Sequence, residues 1–382
     1  LFTLKEKSPK DIYNALNKVV VGQDQAKKQM CISVYKHLQS VSRAASNSSS
    51  PEKHNILMIG PSGSGKTLLA NTLGKDLQLP MVFADATGFS PTGYFGADAD
   101  NMISDMLEKS RNILEIAERG LIFMDEIDKI AGTQIAAEKA QYNYSIQSSL
   151  LKLVEGKVVK TPSNQQAHSQ QVEQQMVDTS KILWMFGGAF PGLAQIVGKK
   201  MGYAGKRMGF NQPDGMGLLE ESIKNYEILS SAPIEVMIES LIDYGFTTEF
   251  VGRIPTITAL APLNRDELMR CLKDLDHSPV QRQTRFFEAC GYKLEFEHEF
   301  LEQVVDKALK MATGTRALNT LVNGAVSDAA FDYLGATTPA NRGKIIINVE
   351  CLKDSSQYKV EKKVLRKMKS LSPDTLGARI FP

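Results

Sequence analysis

A glycine-rich run between a short apolar stretch and a helix-like segment constrains the fold of this chain more than any other feature. It reads Gly-Pro-Ser-Gly-Ser-Gly-Lys-Thr from Gly60 to Thr67 and directly follows the apolar residues 55–59. Glycines at this spacing let backbone N–H groups approach a triphosphate, Lys66 reaches its β- and γ-phosphates, and Thr67 ligates Mg²⁺. The helix that follows adds the positive end of its dipole. The sequence therefore predicts a nucleotide-binding loop made of Gly60, Pro61, Ser62, Gly63, Ser64, Gly65, Lys66, Thr67 and Leu68.

Two adjacent carboxylates follow another apolar stretch, residues 120–124. Asp125 and Glu126 would then lie at the carboxyl end of a buried strand, the edge where ligands bind in open α/β sheets. We expect Asp125 to be the Mg²⁺ partner and Glu126 to polarise an attacking water, because phosphoryl transfer needs a positioned nucleophile. A solvated Asp-Glu pair is the alternative. The position after a strand favours ATP hydrolysis over nucleotide binding alone, with ATP and Mg²⁺ as cofactors.

Short apolar runs alternate with helical periodicity from residue 55 to about residue 260, which is typical of a parallel sheet covered by helices. The candidate strands are residues 55–59, 81–85, 120–124, 182–186 and 256–260. After residue 264 the pattern is mainly helical, with short strands expected at residues 292–296 and 344–348. The fold class predicted is therefore α/β, followed by a smaller, mainly helical α+β domain.

Composition shifts divide the chain into four predicted regions. Residues 1–50 hold N-terminal helices and a Ser-rich linker, 51–255 the large nucleotide-binding domain, 256–352 a small C-terminal domain, and 353–382 a basic tail. Within the first region we expect two short helices over residues 9–38 and an exposed linker over residues 40–51. The lysine-rich residues 359–369 predict a helical or frayed, solvated terminus.

The overall composition is that of a globular protein. Its 382 residues, 42% hydrophobic and 23% charged, exceed one compact core and contain no apolar run of the roughly 18 residues that cross a bilayer. A net charge of +2 offers no global attraction to nucleic acid or to an anionic membrane. Cys31, Cys271, Cys290 and Cys351 lie far apart, so we expect reduced thiols in a cytoplasmic protein and no zinc site.

Many stretches of the chain together resemble the ClpX family, the AAA+ ATP-binding unfoldase subunits of the Clp protease. They are residues 21–28, the phosphate loop, and residues 85–87, 125–130, 150–156, 178–183, 187–190, 249–253 and 313–318. The resemblance spans about residues 9–351 and implies an AAA+ P-loop NTPase fold with a five-stranded parallel sheet. It also implies a homo-hexameric ring that threads unfolded or tagged proteins through a central pore into the peptidase ClpP.

The resemblance assigns roles to further residues. Val20 and Val21 match the segment that contacts adenine, and Arg316 matches the second sensor arginine. Arg253 matches the arginine finger, which stabilises the transition state at a neighbouring subunit's γ-phosphate and so counts with Glu126, Lys66 and Arg316 as catalytic. For each arginine, a surface ion pair is the alternative.

Two loops are assigned by the resemblance to mechanical work. Tyr94 and Phe95, between Gly93 and Gly96, match the pore loop that grips an unfolded chain; without the resemblance, core burial would be the usual role of such aromatic residues. Met208, Gly209 and Phe210 match the aliphatic-Gly-Phe tripeptide that docks on ClpP.

The chain also departs from the family. Gln166-Ala167-His168 replaces a basic loop at the pore entrance, and residues 142–145 replace a Ser-Gly-Glu-Gly run of a second pore loop. No cysteine-rich zinc domain precedes Leu1, so this domain is expected to be either lost or truncated, and residues 184–189 offer no polar first sensor. We expect altered substrate choice on an intact motor.

Three other functions are alternatives for a chain of this kind. A remodelling chaperone that works without a peptidase is the nearest alternative. A nucleic-acid motor is disfavoured by the near-neutral charge and the aromatic pore loop, and we expect neither nucleic-acid nor membrane partners. A non-catalytic binding module is disfavoured because Lys66, Glu126, Arg253 and Arg316 are all present.

Overall fold

The computed structural model describes residues 7–47, 51–88, 95–132, 137–161, 175–203, 215–311, 313–334 and 343–362. Its strands are β1 (Ile56–Ile59), β2 (Met81–Asp85), β3 (Leu121–Asp125), β4 (Val158–Lys160), β5 (Met176–Asp178), β6 (Leu183–Gly188), β7 (Thr256–Ala259), β8 (Lys293–Phe296), β9 (Gly343–Ile347) and β10 (Lys359–Lys362). Its helices are α1 (Pro9–Val19), α2 (Asp24–Asn47), α3 (Lys66–Leu77), α4 (Phe95–Lys109), α5 (Leu114–Ala117), α6 (Ala137–Glu155), α7 (Leu193–Lys200), α8 (Gly215–Ser231), α9 (Ile234–Tyr244), α10 (Thr248–Val251), α11 (Arg265–Lys273), α12 (Pro279–Ala289), α13 (His298–Met311), α14 (Thr315–Ala325) and α15 (Ser327–Tyr333).

A five-stranded parallel sheet in the order β2-β3-β6-β1-β7 organises the first two thirds of the chain. All four residues of β1 and all six of β6 are buried, as expected where helices cover both faces of a parallel sheet. Because the strands are parallel, their carboxyl ends meet at one edge. The predicted α/β fold with a five-stranded parallel sheet is confirmed.

The two faces of the sheet pack against different helices. Leu57 and Ile59 of β1 belong to one apolar cluster, which includes Trp184, Phe186 and Phe250. The alternate residues of β1, Ile56 and Met58, belong to a second cluster with residues of α1, α2 and α3. The N-terminal helices are therefore an integral layer of the sheet.

Helix α2 corrects one expectation about the N-terminal region. The two predicted helices are confirmed as α1 and α2, whereas the exposed linker expected over residues 40–51 is wrong for residues 40–47, because α2 continues to Asn47. Val41 and Ala44 are buried, so the apolar face of the helix extends into the serine-rich stretch and packing overrides the weak helix propensity of serine. None of the described helices combines the length and the apolar character that a membrane span requires.

Residues 263–351 build a third apolar cluster, in which helices α11 to α15 surround the sheet β10-β9-β8. Strand β9 pairs with β8 in parallel and with β10 in antiparallel orientation. The expected helical or frayed tail is thus wrong for Lys359–Lys362, which form a paired strand.

Strand pairing also corrects the boundary that was expected after residue 255. Thr256 lies beside Ile56 and Ala259 beside Ile59, so β7 is the edge strand of the five-stranded sheet. A boundary before Thr256 would separate β7 from its hydrogen-bonded neighbour. The covering layer begins after β7, with Leu263 in the third cluster.

Candidate nucleotide site

The loop after β1 has the backbone geometry of an anion cradle. Gly63 and Gly65 have φ angles of 76° and 99°, left-handed conformations that glycine adopts without steric cost. Gly65 is the residue from which α3 begins, so the loop ends on the N-terminus of a helix of twelve residues. The Gly60 N–H donates to the Gly188 carbonyl at 3.1 Å and anchors the loop to β6.

Lys66 is buried beneath this loop. Its Nζ donates to the carbonyl oxygens of Gly60 at 2.7 Å and Pro61 at 3.0 Å. Burial lowers the pKa of Lys66, and the nearby Arg316 lowers it further, while Asp125 and Asp128 oppose the shift. A buried ammonium held by neutral carbonyls is ready to exchange them for phosphate oxygens, which would supply the missing negative charge.

Thr67 and Asp125 come together from two different strands. Thr67 is the second residue of α3, which follows β1, and Asp125 ends β3, yet the Thr67 Oγ1 donates to the Asp125 Oδ2 at 3.1 Å. A hydroxyl and a carboxylate oxygen are ligands that Mg²⁺ accepts in nucleotide sites, where phosphates and water complete the octahedron. The structure thus brings together the two residues expected to hold this ion.

Glu126 directly follows this pair and has an unusual backbone. Its φ and ψ of 54° and 31° are left-handed, which is uncommon for a residue with a side chain. Its N–H donates to the Asp125 Oδ1 at 2.9 Å, and a 3₁₀ turn, Ile127–Ile130, follows. The side chain is exposed beside the Thr67–Asp125 pair, where a water molecule can reach it.

A cavity of about 240 Å³ opens beside the phosphate loop. Val20, Val21 and Leu68 line it, as do Gly63, Ser64 and Gly65 of the loop. The opposite wall comes from the third apolar cluster and its neighbours: Leu263, Cys271, Leu275, His277, Pro279, Arg282, Thr315, Leu318 and Asn319. A mostly apolar slot beside a phosphate loop suits a purine base.

A comparison with known families identifies this arrangement. The family model described as AAA domain (Cdc48 subfamily) matches residues 51–257, more than half of the 382 residues. The chain belongs to this AAA family. It is therefore an AAA+ ATPase, and AAA domains bind ATP, usually with Mg²⁺. The match includes the phosphate loop, Asp125, Glu126 and Arg253, whereas Arg316 and the far wall of the cavity lie beyond it.

Asp128 is a residue of the AAA domain that sequence reasoning did not single out. It is 6% exposed, and its Oδ1 accepts the Ala189 N–H at 3.2 Å. A Cβ atom on Gly188 would lie 2.6 Å from the same oxygen, so the carboxylate fits only because β6 ends in glycine. The only sign of Asp128 in the sequence was its position three residues after Asp125. The group that Asp128 contacts at the end of β6 is a main-chain N–H and not a polar side chain. The role of first sensor therefore stays unassigned.

The residues that follow the AAA domain contact the phosphate loop directly. The Thr315 Oγ1 donates to the Gly63 carbonyl at 3.4 Å, at the start of α14. Arg316 comes next and is close enough to lower the pKa of Lys66. Gln23 bonds to the same loop, because its Nε2 donates to the carbonyls of Ser64 at 3.3 Å and Ala261 at 2.8 Å.

Arg253 lies elsewhere. It lies three residues before the start of β7, whose first residue pairs with the first residue of β1, so it lies at the amino edge of the sheet. The phosphate loop is at the carboxyl edge, four residues or about 13 Å of strand away. Arg253 is half exposed and pairs with Glu155, with Nη2 and Oε1 2.7 Å apart. Its carbonyl accepts from the buried Asn55 at 2.8 Å.

Residues 142–145 are not the loop that the sequence comparison with the family suggested. They lie inside α6, and Asn143 is 2% exposed, with its amide donating to the Ala131 carbonyl at 2.8 Å. Tyr144 is exposed on the same helix. Tyr94, Met208, Gly209, Phe210 and the Gln166-Ala167-His168 segment lie outside the described residues, while Phe95 is the first residue of α4.

Proposed function

We propose that this AAA+ ATPase is an ATP-dependent protein unfoldase and translocase, working as a homo-hexameric ring that delivers substrates to the peptidase ClpP. The observation that carries the proposal is the position of Arg253. A nucleotide site with its lysine, magnesium-type pair and exposed glutamate stands at one edge of the sheet, and a half-exposed arginine stands at the other. An arginine there serves a neighbouring subunit better than its own site.

In the proposed hydrolysis, residues of the chain position the reacting groups and neutralise the phosphate charge. Lys66 leaves the Gly60 and Pro61 carbonyls for the β- and γ-phosphates. Thr67 and Asp125 would hold Mg²⁺, which would neutralise phosphate charge when bound. Glu126 orients water and accepts its proton on a carboxylate oxygen, while Arg253 of a neighbouring subunit stabilises the charge that spreads over the γ-phosphoryl group.

Arg316 and the cavity link the nucleotide to the layer that covers it. The cavity has one wall from Val20, Val21 and Leu68 and another from residues 263–319. A nucleotide bound there would touch both layers, so its loss or hydrolysis would change their relative position. Such a change is the motion that an unfoldase needs at its pore.

The mechanical part of the proposal depends on the resemblance to the ClpX family. Tyr94 and Phe95 would grip the substrate chain, and Met208, Gly209 and Phe210 would dock on ClpP. Grip by aromatic side chains acts through van der Waals contact and therefore tolerates many substrate sequences.

The test is ATP-dependent loss of fluorescence from a tagged reporter protein, with and without ClpP. Degradation only when ClpP and ATP are both present supports the full proposal, and the Glu126→Gln chain serves as the inactive control. Unfolding without degradation would point to the remodelling chaperone. An active ATPase that leaves the reporter folded would contradict the unfoldase assignment.

Binding to ClpP is tested separately. Wild-type chain should retain ClpP in a pull-down with ATP, and Phe210→Ala should not, because the aromatic anchor of the docking tripeptide is gone. Phe331→Ala is the control, since Phe331 is a highly exposed aromatic side chain elsewhere on the surface. Equal retention of ClpP by Phe210→Ala and wild type would contradict docking through this tripeptide.

A further inference from the structure

We propose that Gln147 is a positioning residue that ties the hydrolytic turn of each subunit to the helix that presents Arg253. The idea depends on the proposed function, in which Arg253 acts on the neighbouring subunit. In this proposal, Gln147 connects two parts of the same chain: the nucleotide site at the carboxyl edge of the sheet and the arginine at the amino edge.

The Gln147 side chain is completely buried, and both its amide nitrogen and its oxygen are hydrogen-bonded. Its Nε2 donates to the carbonyl of Ile130 at 2.8 Å and to that of Gly245 at 3.0 Å. Its Oε1 accepts the N–H of Thr247 at 2.8 Å. If the amide were flipped, its oxygen would face the two carbonyl oxygens. The three hydrogen bonds therefore also fix which way the amide points.

One end of this bridge is the turn that follows the hydrolytic carboxylate. Ile130 closes the 3₁₀ turn Ile127–Ile130, which starts directly after the left-handed Glu126. Asp128 in the same turn is bound to the end of β6 through the Ala189 N–H. A movement of Glu126 during turnover is therefore carried into a short, rigid segment whose last carbonyl is held by Gln147.

The other end of the bridge is the segment that carries Arg253. Thr247 is the N-cap of α10, with its hydroxyl accepting the Phe250 N–H at 3.3 Å. Arg253 follows α10 and bonds back to it through its own N–H and the Phe250 carbonyl. Because α10 is one turn long, a displacement of Thr247 reaches Arg253 without a flexible segment between them.

Helix α6, which carries Gln147, also contacts the side chain of Arg253. Gln147 and Glu155 are eight residues apart on α6, about 12 Å along its axis, and Glu155 is the ion-pair partner of Arg253. Helix α6 thus holds both the base of the arginine segment and its side chain. This arrangement would let the state of one subunit's own site set the position of the arginine offered to its neighbour.

The test is a double-mutant cycle on the ATPase rate of the full chain, combining Gln147→Met with Arg253→Ala. Methionine keeps the length of glutamine and removes all three hydrogen bonds. We expect Gln147→Met to lower kcat about tenfold when Arg253 is present, with KM for ATP changed less than about twofold. In the Arg253→Ala chain it should lower kcat less than about threefold, because the positioned group is gone.

An equal fold-reduction in both backgrounds overturns the role of Gln147, because independent structural effects multiply. Asn348→Ala is the control, at a buried, hydrogen-bonded amide directly after β9, and its effect should be the same in both backgrounds. If Gln147→Met is unfolded by circular dichroism, Gln147→Asn replaces it, because it keeps an amide in the buried site but is one methylene too short to make the three bonds together. An Arg253→Ala chain with undiminished kcat contradicts the proposed function itself, whereas a multiplicative cycle contradicts only the bridge.

Discussion

At the scale of the single residue, Glu126 has the backbone that most directly suggests chemistry. A left-handed conformation costs a residue with a Cβ roughly 1–2 kcal/mol and persists where its surroundings impose it. Here buried β3 precedes Glu126 and a turn with buried Ile127 and Asp128 follows it. This geometry ends the strand and leaves the Glu126 carboxylate exposed beside Thr67 and Asp125.

Glu126→Gln should bind ATP with nearly unchanged affinity and lose hydrolysis by about 10²- to 10⁴-fold, because the amide orients water without accepting its proton. Titration with ATP and a steady-state phosphate-release assay measure the two effects. Glu115→Gln, at an exposed carboxylate on α5, should leave both values unchanged. Undiminished phosphate release from Glu126→Gln would contradict its role as the base.

His37 makes stability depend on pH. Burial lowers the pKa of His37 to about 4, while its Nε2 contacts the Lys181 carbonyl at 3.0 Å. Below the unfolded-state pKa of about 6.5 the unfolded chain takes up a proton that the folded chain refuses, so stability falls as pH drops from 6.5 towards 4. His37→Gln should remove up to roughly 3 kcal/mol of this acid sensitivity.

Urea unfolding at pH 7 and pH 4.5 measures the effect of His37→Gln. The difference between the two midpoints should shrink in this variant and stay at the wild-type value in His298→Gln, at an exposed histidine of α13. The same acid sensitivity in wild type and His37→Gln would exclude His37 as its source.

At the scale of elements, the phosphate loop and the start of α14 meet backbone to backbone. Gly314, with φ of 57°, caps α14, and a Cβ on it would lie 2.8 Å from the Gly63 carbonyl oxygen. A Cβ on Gly63 would lie 2.3 Å from the Thr313 carbonyl oxygen. Two glycines are therefore required for Thr315 and Arg316 to approach the nucleotide loop.

Gly314→Ala should push α14 away from the loop and weaken ATP binding about tenfold, since a clash of this kind costs about 1–3 kcal/mol. Gly324→Ala in the same helix is the matched control, because a Cβ there meets open space. It should leave ATP affinity unchanged and stabilise the fold by up to about 1 kcal/mol. Fluorescent-nucleotide titration and thermal unfolding measure both, and equal affinities for the two variants would refute the contact.

At the scale of the whole molecule, the nucleotide loop and Arg253 occupy opposite edges of one sheet. In the proposed function, a subunit built this way would have half a site at each edge. Closed rings of identical subunits bring such halves together, because every interface is the same heterologous contact.

Mixing two inactive chains tests this arrangement. Arg253→Ala keeps Glu126 and lacks the arginine, whereas Glu126→Gln keeps the arginine and lacks the base. Each alone should hydrolyse ATP at a small fraction of the wild-type rate, and an equal mixture should recover up to roughly a quarter of it, because one interface in four then combines both intact halves. A mixture no more active than its components would show that Arg253 does not act across subunits.

We expect Tyr94→Ala to uncouple ATP hydrolysis from protein unfolding. ATP hydrolysis is expected to stay within about twofold of wild type, while reporter unfolding falls by an order of magnitude or more, since the gripping contact is lost. Phe331→Ala, at an exposed aromatic residue on α15, should change neither rate. Equal unfolding rates in Tyr94→Ala and wild type would remove Tyr94 from the pore.

Local patterns were enough to predict the sheet and to locate the candidate site residues that follow its strands. The run from Gly60 to Thr67 and the pair Asp125-Glu126 each consist of consecutive residues. Their residue types therefore identify them without reference to the rest of the chain. The strand at residues 81–85 was predicted to the residue, because residues 81–84 are a short continuous apolar run, although at the edge of the sheet only Val82 of this strand is buried.

Contacts between distant residues could be decided only by the tertiary structure. The far wall of the base cavity lies some 200 residues beyond the phosphate loop, and Gln147 joins Ile130 to Thr247 across 117 positions. A glutamine inside a helix carries no local sign of its partners, because burial and hydrogen bonding depend on which elements the packing brings to it. The sequence by itself determined the sheet and the position of the proposed hydrolytic residues Lys66, Asp125 and Glu126 at the ends of its strands, while packing alone decided how the two edges of the sheet are connected.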